Sequence, residues 1–248
     1  MIKTVTTIAI AFLLGTGSAK AQDDVKIGKQ NIKLTSDLMT PEALWAMGRI
    51  GTAEANTDGS KIVYQIGYYS VKANKSQQKI AIINADGSGN TTLTTGTKSE
   101  TDPTWYQGKI AFLSGGQLWT MNDDGSDRKQ ISKTSKDIEG FKFSPDGSKV
   151  ILLHSIDYND IIQKNPDDLP KATGRLVTDL MYRHWDHYVE SIQHPFVYDI
   201  TGQSGESGIS ISGDGIDILE GEPCECPMEP FGGMEQLAWS PDSKSITT

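Results

Sequence analysis

The residues best suited to chemistry lie in one stretch, Asp179-Leu180-Met181-Tyr182-Arg183-His184-Trp185-Asp186-His187-Tyr188-Val189-Glu190. Carboxylates, a guanidinium and two imidazoles are interleaved there with aromatic rings. Read as a helix over 179–190, the spacing places Asp179 and Arg183 at i,i+4, where they can pair. Asp186 and Glu190 then share one face, where two carboxylates can receive a cation or an amine. Arg183, Asp186 and Glu190 are the candidate binding residues. An internally ion-paired helix that only shapes a surface is the competing reading.

Other constellations are weaker. Cys224 and Cys226 are one residue apart, and in extended backbone their side chains share a face roughly 6.5–7 Å apart, at the edge of disulfide reach. A strained bridge, free thiols or half of a metal site all fit. With no second Cys/His pair nearby at metal spacing, the thiols are favoured over the metal. The histidines at 154, 184, 187 and 194 form no His-Glu-x-x-His. Asn122-Asp123-Asp124-Gly125-Ser126-Asp127 lacks the closing Glu of a calcium loop and reads as a turn. Gly202-Gln203-Ser204-Gly205 and Gly205-Glu206-Ser207-Gly208 both miss the Gly-x-Ser-x-Gly spacing of a nucleophile elbow. The expectation is a chain with no catalytic residues, metal or cofactor of its own.

The elements that must position these residues are set by a repeat. Phe143-Ser144-Pro145-Asp146-Gly147-Ser148-Lys149-Val150 returns as Trp239-Ser240-Pro241-Asp242-Ser243-Lys244-Ser245-Ile246 and, more loosely, as Ala55-Asn56-Thr57-Asp58-Gly59-Ser60-Lys61-Ile62. Trp105-Tyr106-Gln107-Gly108-Lys109-Ile110 is a shortened copy. Each reads as strand, tight turn, strand, because Asp-Gly supplies left-handed backbone and β-branched residues follow. A third strand trails at Lys79–Asn84 and again at Gln117–Met121, with a polar fourth strand after each. The copies are spaced by 50, 38 and 96 residues. The first two intervals suit four-stranded propeller blades, and the third holds a blade with a large insertion. The fold class is therefore all-β: a partial β-propeller of four-stranded antiparallel blades with a helical insertion at about 156–194.

The propeller is expected over 52–248, and 22–51 form an N-terminal segment. In that segment Thr40-Pro41-Glu42-Ala43-Leu44-Trp45-Ala46-Met47 reads as a short helix, with Thr as cap and Pro at its first position. Ahead of it, Lys3, an apolar run over 5–14 and Ala19-Lys20-Ala21 form a signal peptide over 1–21, with cleavage after Ala21. The apolar run is about half of the ~20 residues that span a bilayer, so the mature protein is expected to be secreted or periplasmic. The net charge is −9; losing Lys3 and Lys20 leaves 21 basic against 32 acidic side chains, or −11. Excess negative charge disfavours nucleic acid and anionic membranes as partners and suits an amine-bearing ligand.

The Thr-Pro-Glu start at 40, the Ser-Pro-Asp-Gly turns, Thr-Asp-Leu-Met-Tyr-Arg-His-Trp-Asp at 178–186, Glu220-Gly221-Glu222-Pro223 and Pro230-Phe231-Gly232-Gly233 together resemble the N-terminal propeller of the prolyl oligopeptidase family. The similarity is greatest to secreted bacterial dipeptidyl peptidases of the dipeptidyl-peptidase-V, or alanyl dipeptidyl peptidase, type. It implies a propeller that admits short peptides with a free N-terminus to a C-terminal α/β-hydrolase domain. That domain, with its Ser, Asp and His, is missing from 1–248. In the related dipeptidyl-peptidase-IV branch, paired glutamates hold the substrate amine. Here Arg183, His184 and Trp185 follow Tyr182, so that pair is absent at its expected place and the amine must use Asp186, Glu190 or a group outside the segment; Asp186 is the favoured anchor, with Arg183 as a backbone-carbonyl or carboxylate partner. Self-association as a homodimer stays open. The alternative function is a stand-alone periplasmic propeller of the Tol or WD type that binds a protein partner.

Overall fold

The structure is a computed structural model that describes residues 26–157, 162–163, 169, 171–174, 176–177, 183–184, 187–202 and 208–248. The expected signal peptide at 1–21 lies outside the described residues. Helix α1 (Pro41–Ala46) is capped by Thr40, whose Oγ1 accepts the Ala43 N–H at 3.2 Å, with Pro41 in the first turn, where its missing N–H has no partner to lose.

Three four-stranded antiparallel sheets and the start of a fourth follow. Blade I is β1 (Arg49–Ala55), β2 (Lys61–Ser70), β3 (Lys75–Asn84) and β4 (Thr91–Thr92). Blade II is β5 (Glu100–Tyr106), β6 (Lys109–Ser114), β7 (Gln117–Met121) and β8 (Lys129–Gln130). After β9 (Ser132–Lys133), blade III opens with β10 (Gly140–Phe143) and β11 (Lys149–Asp157). A long connection carries two short hairpins, β12 (Ile162–Gln163) with β13 (Leu176–Val177), and β14 (Arg183–His184) with β15 (His187–Tyr188). The chain returns as β16 (Ser191–Asp199), passes through β17 (Ile211–Ser212), which pairs in parallel with β9, and completes blade III with β18 (Ile216–Asp217). The pair β19 (Ala238–Trp239) and β20 (Ile246–Thr247) begins blade IV.

The repeated turns are built by their own side chains. Asp58 accepts the Ser60 N–H at 2.8 Å and Asp146 the Ser148 N–H at 2.9 Å, while Gly59 and Gly147 take the left-handed conformation. In the blade IV copy Ser243 stands in the glycine's place at φ 60, and its buried hydroxyl accepts the Asp146 N–H at 3.1 Å. That bond couples the turns of blades III and IV.

The second strands of blades II and III carry continuous buried apolar runs, Ile110–Leu113 and Val150–Leu153, so these blades bury both faces. Val63, Ile80 and Ile82 of blade I meet Ile110, Phe112 and Met121 of blade II. Ala111, Leu113 and Leu118 meet Phe141, Val150 and Leu152 of blade III on the other side. Ile151 and Leu153 then meet Leu237, Trp239 and Ile246.

The helix expected over 179–190 is not formed. Arg183–His184 and His187–Tyr188 pair as an antiparallel hairpin in the register Arg183↔Tyr188 and His184↔His187. Aromatic and β-branched residues fit a pleated ribbon better than a helix, and only Val189 and Glu190 separate the hairpin from β16. The Arg183 guanidinium lies 5.5 Å from the Tyr188 ring centre, a cross-strand contact that a helix would not make.

Candidate functional site

The first strands of blades I and II carry carboxylates among small polar residues, Gly51-Thr52-Ala53-Glu54 and Glu100-Thr101-Asp102. β1, β5 and β10 converge on a cavity of about 900 Å³, closed on a further side by Gly232–Glu235. Its walls carry the carboxylates of Glu54, Asp102, Glu139, Asp146 and Glu235, against one ammonium, Lys142. Lys142 Nζ donates to the carbonyls of Met234 (2.7 Å) and Leu237 (2.5 Å). Its charge is thus held against the turn that closes the cavity, and the open wall is acidic.

Each carboxylate is fixed by strand register. Glu54, near the end of β1, accepts from Thr104 Oγ1 at 2.7 Å and from the Trp105 N–H at 3.2 Å, and the Trp105 indole donates to its carbonyl at 3.2 Å. These bonds tie the first strands of blades I and II together. Both strands bulge at nearly the same level, with Gly51 and Thr52 unpaired in β1 and Asp102 and Pro103 in β5. The β5 bulge holds Asp102 at φ 54, and its N–H donates to Gln65 Oε1 at 3.0 Å. Burial pushes the Asp102 carboxyl above the ordinary aspartate value. Glu139 accepts from Ser155 Oγ at 2.6 Å and from Gln193 Nε2 at 2.8 Å. At the floor, Tyr106 stacks on Phe143 at 3.8 Å and donates to the Gly147 carbonyl at 2.8 Å.

Neither Arg183 nor Glu190 lines this cavity. β16 leaves the 183–188 hairpin and brings Gln193 to the wall. Arg183 and Glu190 are exposed, and Asp186 lies outside the described residues. Arg183–His184 and His187–Tyr188 are paired strands and not helix. Cys224 is exposed and Cys226 half-buried, both as thiols, and burial raises the Cys226 thiol. The Cys224 carbonyl lies 3.1 Å from Nε2 of the buried His194, whose Nδ1 faces Asp217 at 3.0 Å. Among the described residues no three His, Cys, Asp or Glu side chains are grouped to hold a metal.

Sequence reasoning missed Glu54, Asp102, Glu139 and Glu235. The available signal was the polar character of the first strands of blades I and II, Gly51-Thr52-Ala53-Glu54 and Glu100-Thr101-Asp102, set against the apolar strand that follows each. In a ring of blades, such strands face the centre.

Tandem four-stranded antiparallel blades whose first strands surround one cavity make this chain a β-propeller segment. Two curated relatives match nearly all of it: dipeptidyl-peptidase 5 of Porphyromonas gingivalis, 41% identical over 218 residues and 86% of this chain, and dipeptidyl-peptidase 5 of Porphyromonas endodontalis, 36% identical over 218 residues and 85% of this chain. The chain is similar to these dipeptidyl peptidases, and it spans 31% and 30% of the length of these two relatives. Among solved structures, the acylaminoacyl peptidase of Pyrococcus horikoshii overlaps 67% of this chain and 26% of its own, at 15% identity and a TM-score of 0.46. No family model matches.

Proposed function

We propose that this chain is the substrate-access part of a secreted serine dipeptidyl peptidase that releases dipeptides from the N-termini of short peptides. The observation that carries the proposal is the 36–41% identity to dipeptidyl-peptidase 5 relatives over some six-sevenths of the chain. The nucleophile, its base and the orienting acid are assigned to sequence beyond residue 248, since no Gly-x-Ser-x-Gly occurs within it. The role of 26–248 is to restrict and orient. A narrow acid-walled passage admits an extended peptide, excludes a folded one, and attracts the ammonium at the substrate's N-terminus.

Asp186 is assigned as the amine anchor, with Arg183 and Glu190 on either side of it in sequence. An N-terminal ammonium held by a carboxylate fixes which peptide bond meets the nucleophile, and so makes the product a dipeptide. The test is steady-state hydrolysis of chromogenic dipeptide substrates by the protein produced from its natural gene. Cleavage abolished by N-acetylation of the substrate, and a raised Michaelis constant in Asp186→Ala with its turnover number retained, are the expected results. An unchanged Michaelis constant would remove Asp186 from the site. Absence of any cleavage, together with capture of a protein partner, would favour the binding-propeller reading instead.

A further inference from the structure

Three sulfur side chains fall within five residues, Cys224, Cys226 and Met228. They lie on the chain between β18 and the Gly232–Glu235 turn that closes the acidic cavity, and none of them lines that cavity. Cys226 is half-buried against the cluster of Ile151, Leu153 and Leu237, whereas the Cys224 thiol is exposed and the Met228 thioether 65% exposed. Burial, and next the charge of Cys224, raise the Cys226 thiol, so the two sulfurs are within electrostatic reach of each other.

Each of the three residues is pinned through its backbone to another element. The Cys224 carbonyl meets Nε2 of His194 in β16 at 3.1 Å, and the Cys226 N–H donates to the Gln193 carbonyl of the same strand at 2.9 Å. The Met228 N–H donates to Gln236 Oε1 at 2.8 Å, and its carbonyl accepts the Gly232 N–H at 2.7 Å. Between them Glu225 Oε1 accepts the Glu229 N–H at 3.1 Å, which closes the loop on itself. A loop in which every sulfur-bearing residue is held from outside is a preorganised frame for a ligand that binds sulfur.

We propose that the 224–228 loop binds one soft monovalent cation, copper(I), between the thiolates of Cys224 and Cys226, with the Met228 thioether beside them. Three arguments select this ligand. Zinc needs a tetrahedral set that includes further Cys, His or carboxylate ligands, and among the described residues no three such side chains are grouped. Copper(I) prefers thiolate and thioether sulfur and tolerates a low coordination number. Residues 222–225 make no helix, turn or bend, and in extended backbone two side chains one residue apart stand roughly 6.5–7 Å apart on one face. A single S–S bond of about 2.05 Å spans that only under strain; an ion between the sulfurs adds two metal–sulfur bonds to the reach. Glu220, Glu222, Glu225 and Glu229 surround the loop in sequence, and their field draws a cation toward it. On binding, both thiol protons pass to solvent, two sulfur–copper bonds form, and copper keeps its oxidation state. The site stands apart from the peptidase reading.

Anaerobic titration tests it on the reduced protein produced from its natural gene, with copper(I) supplied as its bicinchoninate complex. The wild type should withdraw one equivalent of copper(I) more than Cys224→Ser does, and X-ray absorption should find only sulfur around that copper. Cys224 is exposed, so its serine variant should keep the wild-type thermal transition. Met228→Leu, which preserves side-chain volume, should still take up the ion but several-fold more weakly. Equal uptake by the wild type and Cys224→Ser would overturn the proposal, as would nitrogen or oxygen ligands around the extra copper. Metal uptake is read without any peptide substrate, so failure here and failure of the peptidase reading are distinguishable.

Discussion

Buried titratable groups make opposite contributions at single positions. His154 is 1% exposed, with Nδ1 2.8 Å from the Asp137 carbonyl and Nε2 3.0 Å from the Tyr198 hydroxyl, and burial holds its ring below the ordinary imidazole value of 6.5. The unfolded chain therefore takes up a proton on this ring at a higher pH than the folded one. Its contribution to stability is full above about 6.5 and is lost as the pH falls toward the folded value. Asp102 has the reverse sign. Its carboxyl is raised by burial, so its contribution is present at low pH and lost as the pH rises through the folded value. Urea denaturation from about pH 3 to 8 checks both. His154→Asn should flatten the acid-side decline. Asp102→Asn, which tolerates the left-handed backbone, should raise the midpoint at neutral pH, and a lowered midpoint would contradict the burial argument.

At the scale of an element, blade II depends on an ion pair that links its first strand to its last. Glu100 in β5 is 2% exposed; one carboxylate oxygen accepts from Arg128 at 2.7 Å, and the other has no hydrogen-bond partner. Arg128, just before β8, lies 5.0 Å from the ring centre of Phe112 and 5.1 Å from that of Trp119, with Ser114 Oγ at 3.3 Å. Removing one partner leaves the other charge buried, at a cost of about 3–5 kcal/mol, whereas replacing both with apolar groups of similar shape costs far less. Arg128→Met alone should lower stability by that amount, and Glu100→Leu with Arg128→Met should recover most of it. A double-mutant cycle on denaturation midpoints measures the difference. Additive losses would show that the pair is solvated and unimportant.

At the scale of the whole molecule, each blade is stable because its neighbours cover it. Phe112 joins blades I and II at 0% exposure, and Phe112→Ala should cost about 3–5 kcal/mol. Because the blades share cores, the loss should lower one common transition rather than melt blade II separately. Calorimetry that resolves two transitions in the variant would disprove that coupling. The 22–248 chain expressed alone should self-associate as its concentration rises, because blade I and the N-terminal segment before α1 present Ile50, Leu38 and Met39 to solvent. Light scattering should show Ile66→Lys reducing the association. A sharp thermal transition of the isolated wild-type chain without aggregation would contradict the expectation.

Much of the architecture is legible in the order of residues alone. The turns at 56–60, 144–148 and 240–245 specify themselves, because Asp, Ser and Gly satisfy the backbone within a few residues. Continuous apolar runs after the turns determine strands that must bury both faces, and these turns with the 178–186 and 220–233 stretches carry the resemblance to the dipeptidyl peptidases. The segment over 179–190 was misread, since its i,i+4 spacing is equally available to a helix and to an irregular ribbon. Pairing of Arg183 with Tyr188, next to a β16 already held against β11, settles it as a hairpin. The cavity was invisible for a related reason. Glu54, Asp102, Glu139 and Glu235 are separated by tens of residues or more, and only strand register and the rotation of one blade on the next bring them to a common wall. Local rules act over a handful of residues, whereas a shared wall and an uncovered face are properties of how whole blades stack.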